Sequence, residues 1–324
     1  MKNIHWLLPC KINHNDEILK SMRASVRLRS GLFNFPLFKD YSITFSENIN
    51  NIDNIDYLFI GKIDPDKQYL IDIWINYINS FRDKNPNIFF DYTDHHLTQE
   101  TLTGQFYRTT LKPNDQIITS SEKLKNYLTA DYKNVTIIED PIEIEIQKVK
   151  KNKTTSFLFF GHETNLKFLF NLIPTWDKSR EYTLFILTSD FGLKFIQERS
   201  TFILANKPNN LNLQLHRWSI PNMLHVSKNV SGIVIPGDKN DERKNGVSHN
   251  RLITSFALGL SVAATKYESY LEFNNQFIDI DNKSEFESFL KNPSQYSSRV
   301  MMAQKKVKNY TQENIAKKWL NLIK

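Results

Sequence analysis

Short apolar runs alternate with helix-patterned segments along the chain, and this alternation restricts the fold more than any other feature. In the first half, apolar runs at residues 4–8, 56–60, 88–90, 116–119 and 135–138 flank helical patterns at 16–28 and 67–82. Ser121 is expected to cap a further helix. Short, continuously apolar strands separated by helices are typical of a parallel sheet that is covered on both faces.

The same pattern restarts after the polar, lysine-rich stretch 148–153. Strands are predicted at 157–160, 184–187, 211–215, 232–235 and 261–264, and helices at 165–173, 251–258 and 312–323. Gly259 is expected to end the helix before it. We therefore predict an α/β protein with two tandem Rossmann-like, doubly wound domains, a division that suits its 324 residues.

Composition excludes several classes of site. A single cysteine, Cys10, leaves no disulfide framework and no thiolate zinc site. The chain has only 9 glycines and contains neither GxGxxG nor GxxxxGK[ST], so glycine-rich phosphate loops are excluded. Any phosphate group would have to be held by cations and a helix N-terminus.

The net charge of +7 is unevenly distributed. Residues 1–145 carry 16 Lys and Arg against 20 Asp and Glu, a net of −4, so residues 146–324 carry +11. A basic half joined to an acidic half indicates an anionic ligand in the basic half. Solvated lysines in 148–153 and near the end of the chain are the alternative explanation.

Ligands of open parallel sheets bind beyond the carboxyl ends of the strands. The loop after strand 157–160 contains Gly161, His162 and Lys167. Glycine permits close approach of the backbone, the following helix offers N–H groups to an anion, and Lys167 adds a positive charge. An ordinary strand–helix turn is the alternative.

A second polar loop runs from residue 236 to 251. Lys244 and Arg251 are suited to phosphate, and Ser248 or Asn250 is expected to cap the next helix. A solvated loop with a normal cap is the alternative.

Asp94, His95 and His96 follow strand 88–90 in the first half. Carboxylate and imidazole groups in such a cluster can act as a general base or as metal ligands. A turn with one buried histidine is the alternative. His14, after the first strand, is a weaker candidate.

Several segments, in order along the chain, resemble the GT-B glycosyltransferases. They are 118–124 (ITSSEKL), 137–141, Phe159-Phe160-Gly161 with Lys167, 258–265 (LGLSVAAT) and the Trp319-containing helix. The resemblance implies two facing Rossmann-like domains with the active site in the cleft. Residues 1–147 would bind the acceptor, 148–305 would bind the nucleotide sugar, and 306–324 would form a helix that packs back on the first domain.

The sequence also departs from this pattern. His162 stands where the family usually has a phosphate-binding arginine, and the Glu-x7-Glu pattern of the retaining group is absent. Lys244-x3-Ser248-x-Asn250-Arg251 resembles a loop of some bacterial surface-polysaccharide transferases instead. Trp218 and Ser219 fall where such enzymes contact the nucleotide base, although a tryptophan packed in the core is the alternative.

The resemblance implies transfer of a sugar from a nucleotide-diphosphate donor to a glycan or lipid-linked acceptor. Lys167, Lys244 and Arg251 would hold the departing diphosphate without a metal or other cofactor. Asp94 or His95, with His14 less favoured, would accept the proton of the acceptor hydroxyl. Inversion and retention both stay open.

Three other functions each fit part of the sequence. Asp94-His95-His96 resembles the DHH phosphoesterases, whose upstream acidic ligands could only be Asp64 and Asp66. A DNA-modifying glycosyltransferase fits the pI of 9.1, but the acidic first half argues against a nucleic-acid partner. A non-catalytic nucleotide-sugar-binding module is the third. The apolar runs are too short for a signal peptide or a membrane span, which predicts a cytoplasmic protein, at most peripheral to the inner membrane face.

Overall fold

The computed structural model describes residues 1–12, 16–49, 52–63 and 68–324. The strands are β1 Lys2–Leu7, β2 Tyr41–Ser46, β3 Tyr57–Ile60, β4 Ile88–Tyr92, β5 Gln116–Thr119, β6 Asn134–Ile137, β7 Ser156–Phe160, β8 Tyr182–Thr188, β9 Leu211–Arg217, β10 Gly232–Ile235, β11 Ser261–Ala264 and β12 Ile278–Asp279.

The strands form two six-stranded sheets, in the orders β2-β1-β3-β4-β5-β6 and β12-β11-β10-β7-β8-β9. Each pairing between neighbours is parallel. Parallel neighbours need a crossover, which the intervening helices supply. The predicted α/β architecture of two doubly wound sheets is confirmed.

The helices lie between these strands and after the last one. They are α1 Asp16–Lys20, α2 Ala24–Leu28, α3 Gln68–Arg82, α4 Leu102–Thr110, α5 Glu122–Leu128, α6 Leu166–Leu172, α7 Asp190–Glu198, α8 Ser200–Asn206, α9 Ile220–Ser227, α10 Glu242–Asn245, α11 Asn250–Ala257, α12 Lys283–Lys291, α13 Ser297–Val307 and α14 Gln312–Leu322.

The chain divides into two compact units. Unit 1 comprises Met1–Pro141, Glu242–Ser248 and Tyr310–Lys324, and unit 2 comprises Ile142–Asp241 and His249–Asn309. The sequence placed the boundaries at 147/148 and 305/306 and did not anticipate that Glu242–Ser248 would group with the first unit.

Unit 1 is built around its central strands. All four residues of β3 are buried, as expected for a strand covered on both faces. On one face α3 buries Leu70, Trp74 and Ile78 at helical spacing. On the other face Trp6 stacks on Phe59, with 4.7 Å between ring centroids.

Helix α14 packs on this second face. It buries Ile315, Ala316 and Trp319, and the Trp319 ring lies 5.6 Å from that of Trp6. Lys318 pairs with Glu139 at 2.6 Å. The final helix of the chain is therefore part of the core of unit 1, as the GT-B resemblance implied.

Unit 2 has its own aromatic core. Phe157 on β7 lies 5.4 Å from Trp176 and 5.5 Å from Phe289 between ring centroids. Helix α11 ends at Ala257, and Gly259 has φ of +75°, a left-handed conformation that favours glycine. The predicted end of this helix is confirmed.

Some elements differ from the sequence prediction. The helix expected at 16–28 is two helices, because Arg23 has extended backbone and its Nη1 donates to Pro9 O at 2.9 Å. Strand β2 was not predicted, since exposed and partly buried side chains alternate along it without forming an apolar run. Helix α4, capped by Thr101, was also missed.

Candidate functional site

Arg251 lies in the first turn of α11 and reaches the loop that follows β7. A Cβ placed on Gly161 would lie 3.4 Å from Arg251 Nη1 and 3.6 Å from Asn165 Nδ2. Arg251 Nη1 is buried and has no hydrogen-bond partner among the described residues. A buried cationic nitrogen without a partner is costly, and an anion would satisfy it. The carboxyl end of β7 therefore offers an anion-binding position.

Two tyrosines line the same part of unit 2. Burial raises the pKa of Tyr270, while the charge of Arg251 and a hydrogen bond with its side chain act in the opposite direction. Tyr267 OH accepts a hydrogen bond from Asp238 N at 3.1 Å. A Cβ on Gly237 would lie only 1.7 Å from Tyr267 OH, so only glycine fits where the chain leaves β10. Uncharged phenols, rather than carboxylates, thus neighbour the guanidinium.

The start of α11 does not have the predicted cap. His249 occupies the N-cap position and makes no capping side-chain hydrogen bond, because its φ of −79° and ψ of 15° are not those of an extended cap residue. Asn250 is already the first helical residue and Ser248 precedes the cap, so the expectation that either of them caps the helix is wrong. His249 is buried, with Nε2 3.8 Å from Glu272 Oε2.

His162 and Lys167 have different surroundings from Arg251. His162 Nε2 lies 3.0 Å from Glu163 Oε1, and Glu163 Oε2 accepts a hydrogen bond from Ser189 Oγ at 2.6 Å. His162 and Lys167 are both exposed. Lys167 Nζ lies 4.7 Å from the centroid of the Phe168 ring. The loop after β7 is thereby attached to the start of α7.

Trp218 and Ser219 follow β9. Trp218 is partly buried, and its backbone N–H donates to Thr188 O at 2.8 Å. Ser219 caps α9, with its side chain accepting a hydrogen bond from Asn222 N at 3.1 Å. The Ser219 hydroxyl therefore already has a structural partner, and the Trp218 side chain is partly exposed.

In unit 1, Tyr92 organises the loop after β4. Its buried hydroxyl accepts hydrogen bonds from His96 N at 2.7 Å and Leu97 N at 3.1 Å. The same hydroxyl lies 3.2 Å from His95 Nδ1. The His95 ring stacks on Tyr127 with 4.3 Å between centroids. One phenol therefore fixes the backbone and one imidazole of this loop.

Asp94 is held by cations. Burial opposes its ionisation, but its ion pair with Lys62 and the charge of Lys244 keep its pKa well below the usual range. His96 Nε2 lies 3.9 Å from Asp94 Oδ2. Asp94 is consequently ionised throughout the neutral range.

The two imidazoles of this loop are neutral. Burial lowers the pKa of His96 to about 4, and burial also lowers the pKa of His95. His96 Nε2 is buried and has no hydrogen-bond partner in the described part of the chain. Unit 1 thus contains an uncharged ring nitrogen that can donate a hydrogen bond to a substrate hydroxyl or accept one from it, depending on the tautomer.

The segment Glu242–Ser248 belongs to unit 1. Gly246 O accepts a hydrogen bond from Ser121 Oγ at 2.7 Å, and Ser121 also caps α5 as predicted. The charge of Lys244 acts on Asp94. Lys244 and Ser248, predicted as donor-binding residues beside Arg251, therefore group with the loop that carries Asp94.

Sequence reasoning missed two residues of this site. Lys62 follows β3 and gave no signal, because a lone lysine in a loop is usually solvated. His96 was named with its neighbours but not selected. Strands β3 and β4 are neighbours in the sheet, and the carboxyl ends of neighbouring parallel strands lie side by side. This strand order could have predicted that Lys62, after β3, lies near the loop after β4.

His14, Asp64 and Asp66 lie outside the described residues. Within the described ranges, no three His, Cys, Asp or Glu side chains come together as a metal-binding group. None of the described helices is both long and apolar enough to cross a bilayer.

Solved structures of similar architecture are known. An alpha-glucosyltransferase in complex with UDP and a 13-mer DNA containing a HMU base is 12% identical with a TM-score of 0.65, covering 100% of this chain and 99% of that one. The apo form of the lipopolysaccharide outer core galactosyltransferase WaaB is 12% identical with a TM-score of 0.56, and again 100% and 99% are covered. TarM is 12% identical with a TM-score of 0.57 over 82% of this chain and 54% of its own length, so this chain spans about half of TarM.

These likenesses show that the chain has the GT-B fold, and they confirm the fold that the sequence motifs implied. No protein-family profile and no curated protein sequence matches the chain.

Proposed function

We propose that this protein is a glycosyltransferase that moves a sugar from a nucleoside diphosphate donor to a hydroxyl group of a glycan or lipid-linked acceptor, without a metal. The observation that carries the proposal is the buried, unpartnered Arg251 Nη1 beside Gly161, at the strand end where open α/β sheets bind ligands. Similar GT-B structures contain UDP, which supports a uridine donor.

The donor half of the reaction needs the departing diphosphate to be stabilised. We assign this role to Arg251, assisted by Lys167. Fixed positive charge at the place where negative charge develops lowers the barrier, and it does so without a metal ion. Trp218, with Ser219 next to it, would contact the base.

The acceptor half needs a proton acceptor. Asp94 is a weak base because its ion pair with Lys62 keeps its pKa low. A neutral imidazole is better suited, and we place His95 and His96 in this role with Asp94 as their electrostatic neighbour. We infer that Lys244 helps to hold Asp94, a role different from phosphate binding.

The acceptor is proposed to be a glycan or a lipid-linked sugar. The similarity to WaaB, a lipopolysaccharide outer core galactosyltransferase, supports this class. A DNA acceptor is the second candidate, because a similar alpha-glucosyltransferase structure contains DNA. The net charge of −4 over residues 1–145 favours the first, since DNA binding depends on cations that neutralise phosphates. A lipid-linked acceptor would also bring the protein to a membrane surface.

The donor class is tested by calorimetric titration with UDP, GDP, ADP and UMP, each with and without EDTA. We expect UDP to bind best, EDTA to have no effect, and Arg251→Met to weaken UDP binding at least ~100-fold, which corresponds to about 2.7 kcal/mol. Arg299→Met is the matched control, because Arg299 is also a partly buried arginine of unit 2 but pairs with Glu285 at 2.8 Å. Equal affinities of wild type and Arg251→Met would contradict the proposal.

The acceptor class is tested with radiolabelled donor sugar. Wild-type protein is incubated with lipopolysaccharide core oligosaccharides, lipid-linked sugars and hydroxymethylated duplex DNA. Label in an oligosaccharide or lipid fraction would support the first candidate, and label in DNA alone would replace it with the second.

A further inference from the structure

We propose that Arg29 is the positioning residue of the loop that carries Asp94, His95 and His96, and that through Arg29 helix α14 forms part of this site. The inference rests on the proposed function of that loop. Arg29 acts through Asp91, the residue that precedes Tyr92.

Arg29 is fully buried and divides its guanidinium between two structural elements. Nε and Nη2 lie 2.8 Å and 2.6 Å from Asp91 Oδ1 at the end of β4. Nη1 donates to Ile138 O at 2.5 Å and lies 3.2 Å from Asp140 Oδ1. One side chain therefore fixes the end of β4 relative to the segment that leaves β6.

The contact with Asp91 is transmitted directly to the site. Asp91 and Tyr92 are consecutive residues of β4, and the Tyr92 hydroxyl binds the backbone N–H of His96 and Nδ1 of His95. A displacement of Asp91 moves Tyr92, and the hydrogen bonds of Tyr92 then carry the displacement to both imidazoles. Misplacement of reacting groups by about 1 Å can cost ~100-fold in rate.

Helix α14 completes the arrangement from the other side. The guanidinium of Arg29 lies 4.9 Å from the centroid of the Trp319 ring, a cation–π contact within the core. Trp319 also packs against Phe33 and Phe59, with centroid distances of 5.6 Å and 5.8 Å. The last helix thus covers the residue that positions the loop.

Stability alone does not account for this cluster. Burying an arginine with two carboxylates is expensive, and apolar replacements of such clusters are often neutral or stabilising. Burial raises the pKa of Asp91 although the Arg29 charge opposes this effect, so the pair carries a desolvation cost. An apolar contact would not supply the directional hydrogen bonds that Nε gives to Asp91 at the end of β4 and Nη1 gives to Ile138 O.

Unit 1 contains a matched control. Arg82 forms a comparable ion pair with Asp115, in which Nη2 and Nε donate to the two carboxylate oxygens at 2.8 Å and 3.3 Å, and it also donates to Thr110 O at 2.8 Å. Asp115 precedes β5 and therefore lies at the opposite end of the sheet from the loop after β4. Arg82→Lys repeats the chemical change of Arg29→Lys at a place with no proposed catalytic role.

The first test follows the loop directly and does not require activity. Imidazole signals of His96 are followed by NMR from pH 8 to pH 5 in wild type, Arg29→Lys and Arg82→Lys. We expect His96 to stay neutral in wild type, where its pKa is about 4, and in Arg82→Lys. In Arg29→Lys we expect it to begin to protonate, because a displaced loop regains solvent. Unchanged His96 titration in a folded Arg29→Lys protein would overturn the inference.

If Arg29→Lys does not fold, Asp140→Asn takes its place. The amide oxygen still accepts from Nη1, so a smaller change in the same direction is expected. No change in Asp140→Asn and in Trp319→Phe would also overturn the inference.

The second test uses steady-state kinetics of sugar transfer. We expect Arg29→Lys to lower kcat at least ~10-fold while KM for the nucleotide sugar stays within about twofold, because the donor-binding residues are in unit 2. Equal loss in Arg82→Lys, or normal kcat per folded molecule in Arg29→Lys, would contradict a positioning role. If the wild-type protein transfers no sugar, the proposed function fails, and the NMR test still decides the role of Arg29.

Discussion

The candidate sites of the two units differ in the kind of atom that each leaves without a partner. In unit 2 this atom is a cationic nitrogen, Arg251 Nη1, next to two tyrosines. In unit 1 it is a neutral ring nitrogen, His96 Nε2, while the nearby charge of Asp94 is compensated by Lys62. Under the proposed function, the atom in unit 2 would face an anion and the atom in unit 1 would face an uncharged hydroxyl.

This contrast matches the chemistry of sugar transfer. The donor brings a diphosphate whose charge increases as the bond breaks, and the acceptor brings a hydroxyl that must lose a proton. A cation in unit 1 without a counterion would stabilise bound anions but would hinder protonation of an imidazole there. In the Asp94–Lys62 pair the two charges act on the pKa of His96 in opposite directions, which reduces this conflict.

The largest expected effect is a loss of stability when the pH is lowered, and we expect it in unit 1. Burial lowers the pKa of both His5 and His96 to about 4, and both residues lie in unit 1. The unfolded chain binds protons near pH 6.5 and the folded chain does not, so the stabilisation is complete above pH 6.5 and is lost as pH falls toward 4. The loss amounts to about 3 kcal/mol per histidine.

Urea unfolding at pH 7, 6, 5 and 4.5 measures this loss. His96→Gln should flatten the pH dependence, because glutamine does not titrate. Hydrogen exchange at pH 5 should show faster opening in the strands of unit 1. If the free energy of unfolding depends on pH in the same way in wild type and His96→Gln, the pKa of His96 is not lowered by folding. The contrast between the two sites would then be lost.

The second prediction compares two glycines of unit 2. A Cβ at Gly237 would collide with the Tyr267 hydroxyl, whereas a Cβ at Gly161 would make ordinary contacts, the nearest at 3.4 Å. Gly237→Ala should therefore lower the free energy of unfolding by about 2 kcal/mol, the cost of overpacking. Gly161→Ala should fold normally and weaken UDP binding ~10-fold, because a methyl group occupies space next to Arg251.

Thermal unfolding and calorimetric titration separate the two outcomes. If Gly161→Ala binds UDP as wild type does, the space beside Arg251 is not where the diphosphate sits. If Gly237→Ala is as stable as wild type, Tyr267 does not fix the chain after β10.

The third prediction concerns the stability of the protein without ligand. Arg251→Met removes a buried nitrogen that has no partner in the described chain, so the unliganded variant should be more stable by about 1 kcal/mol. Replacement of a hydrogen-bonded arginine, Arg299, should instead destabilise unit 2. Chemical denaturation of both variants gives the comparison, and destabilisation by Arg251→Met would mean that this guanidinium is already satisfied without an anion.

The sequence predicted the sheets far better than it predicted the loops. Strands β5, β10 and β11 were placed at their observed bounds, because continuous apolar runs in a buried parallel strand have few alternatives. Strand β2 was missed because an edge strand with one solvated face has no such run. The local pattern of apolar residues therefore predicts the buried central strands and says little about the strands at the edge of a sheet.

The site residues show the same limit. Gly161 and Arg251 were selected from their positions after a strand and before a helix, and the structure brings these two together. Lys62 was not selected, since its relation to Asp94 depends on the order β3-β4 in the sheet. The grouping of Lys244 with Asp94 depends on a segment returning to unit 1, which no local pattern encodes.

The smallest expected effect tests the counterion pair of unit 1. Lys62 and Asp94 are 31% and 17% exposed, so solvent weakens their attraction. A double-mutant cycle with Lys62→Met and Asp94→Asn should give a coupling of about 0.5–1 kcal/mol in the free energy of unfolding. The pair would then be retained for what it does to His96, whose pKa is lowered by Lys62 and raised by Asp94.

The same variants can be compared by the pKa of His96 as well as by the free energy of unfolding. Asp94→Asn should lower the pKa of His96 further and Lys62→Met should raise it, and the double variant should return it close to wild type. A coupling above about 2 kcal/mol would mean that the pair is a major stabilising element. His96 would then be a bystander of a structural ion pair, and the uncharged character of unit 1 would follow from packing rather than from a requirement of the acceptor hydroxyl.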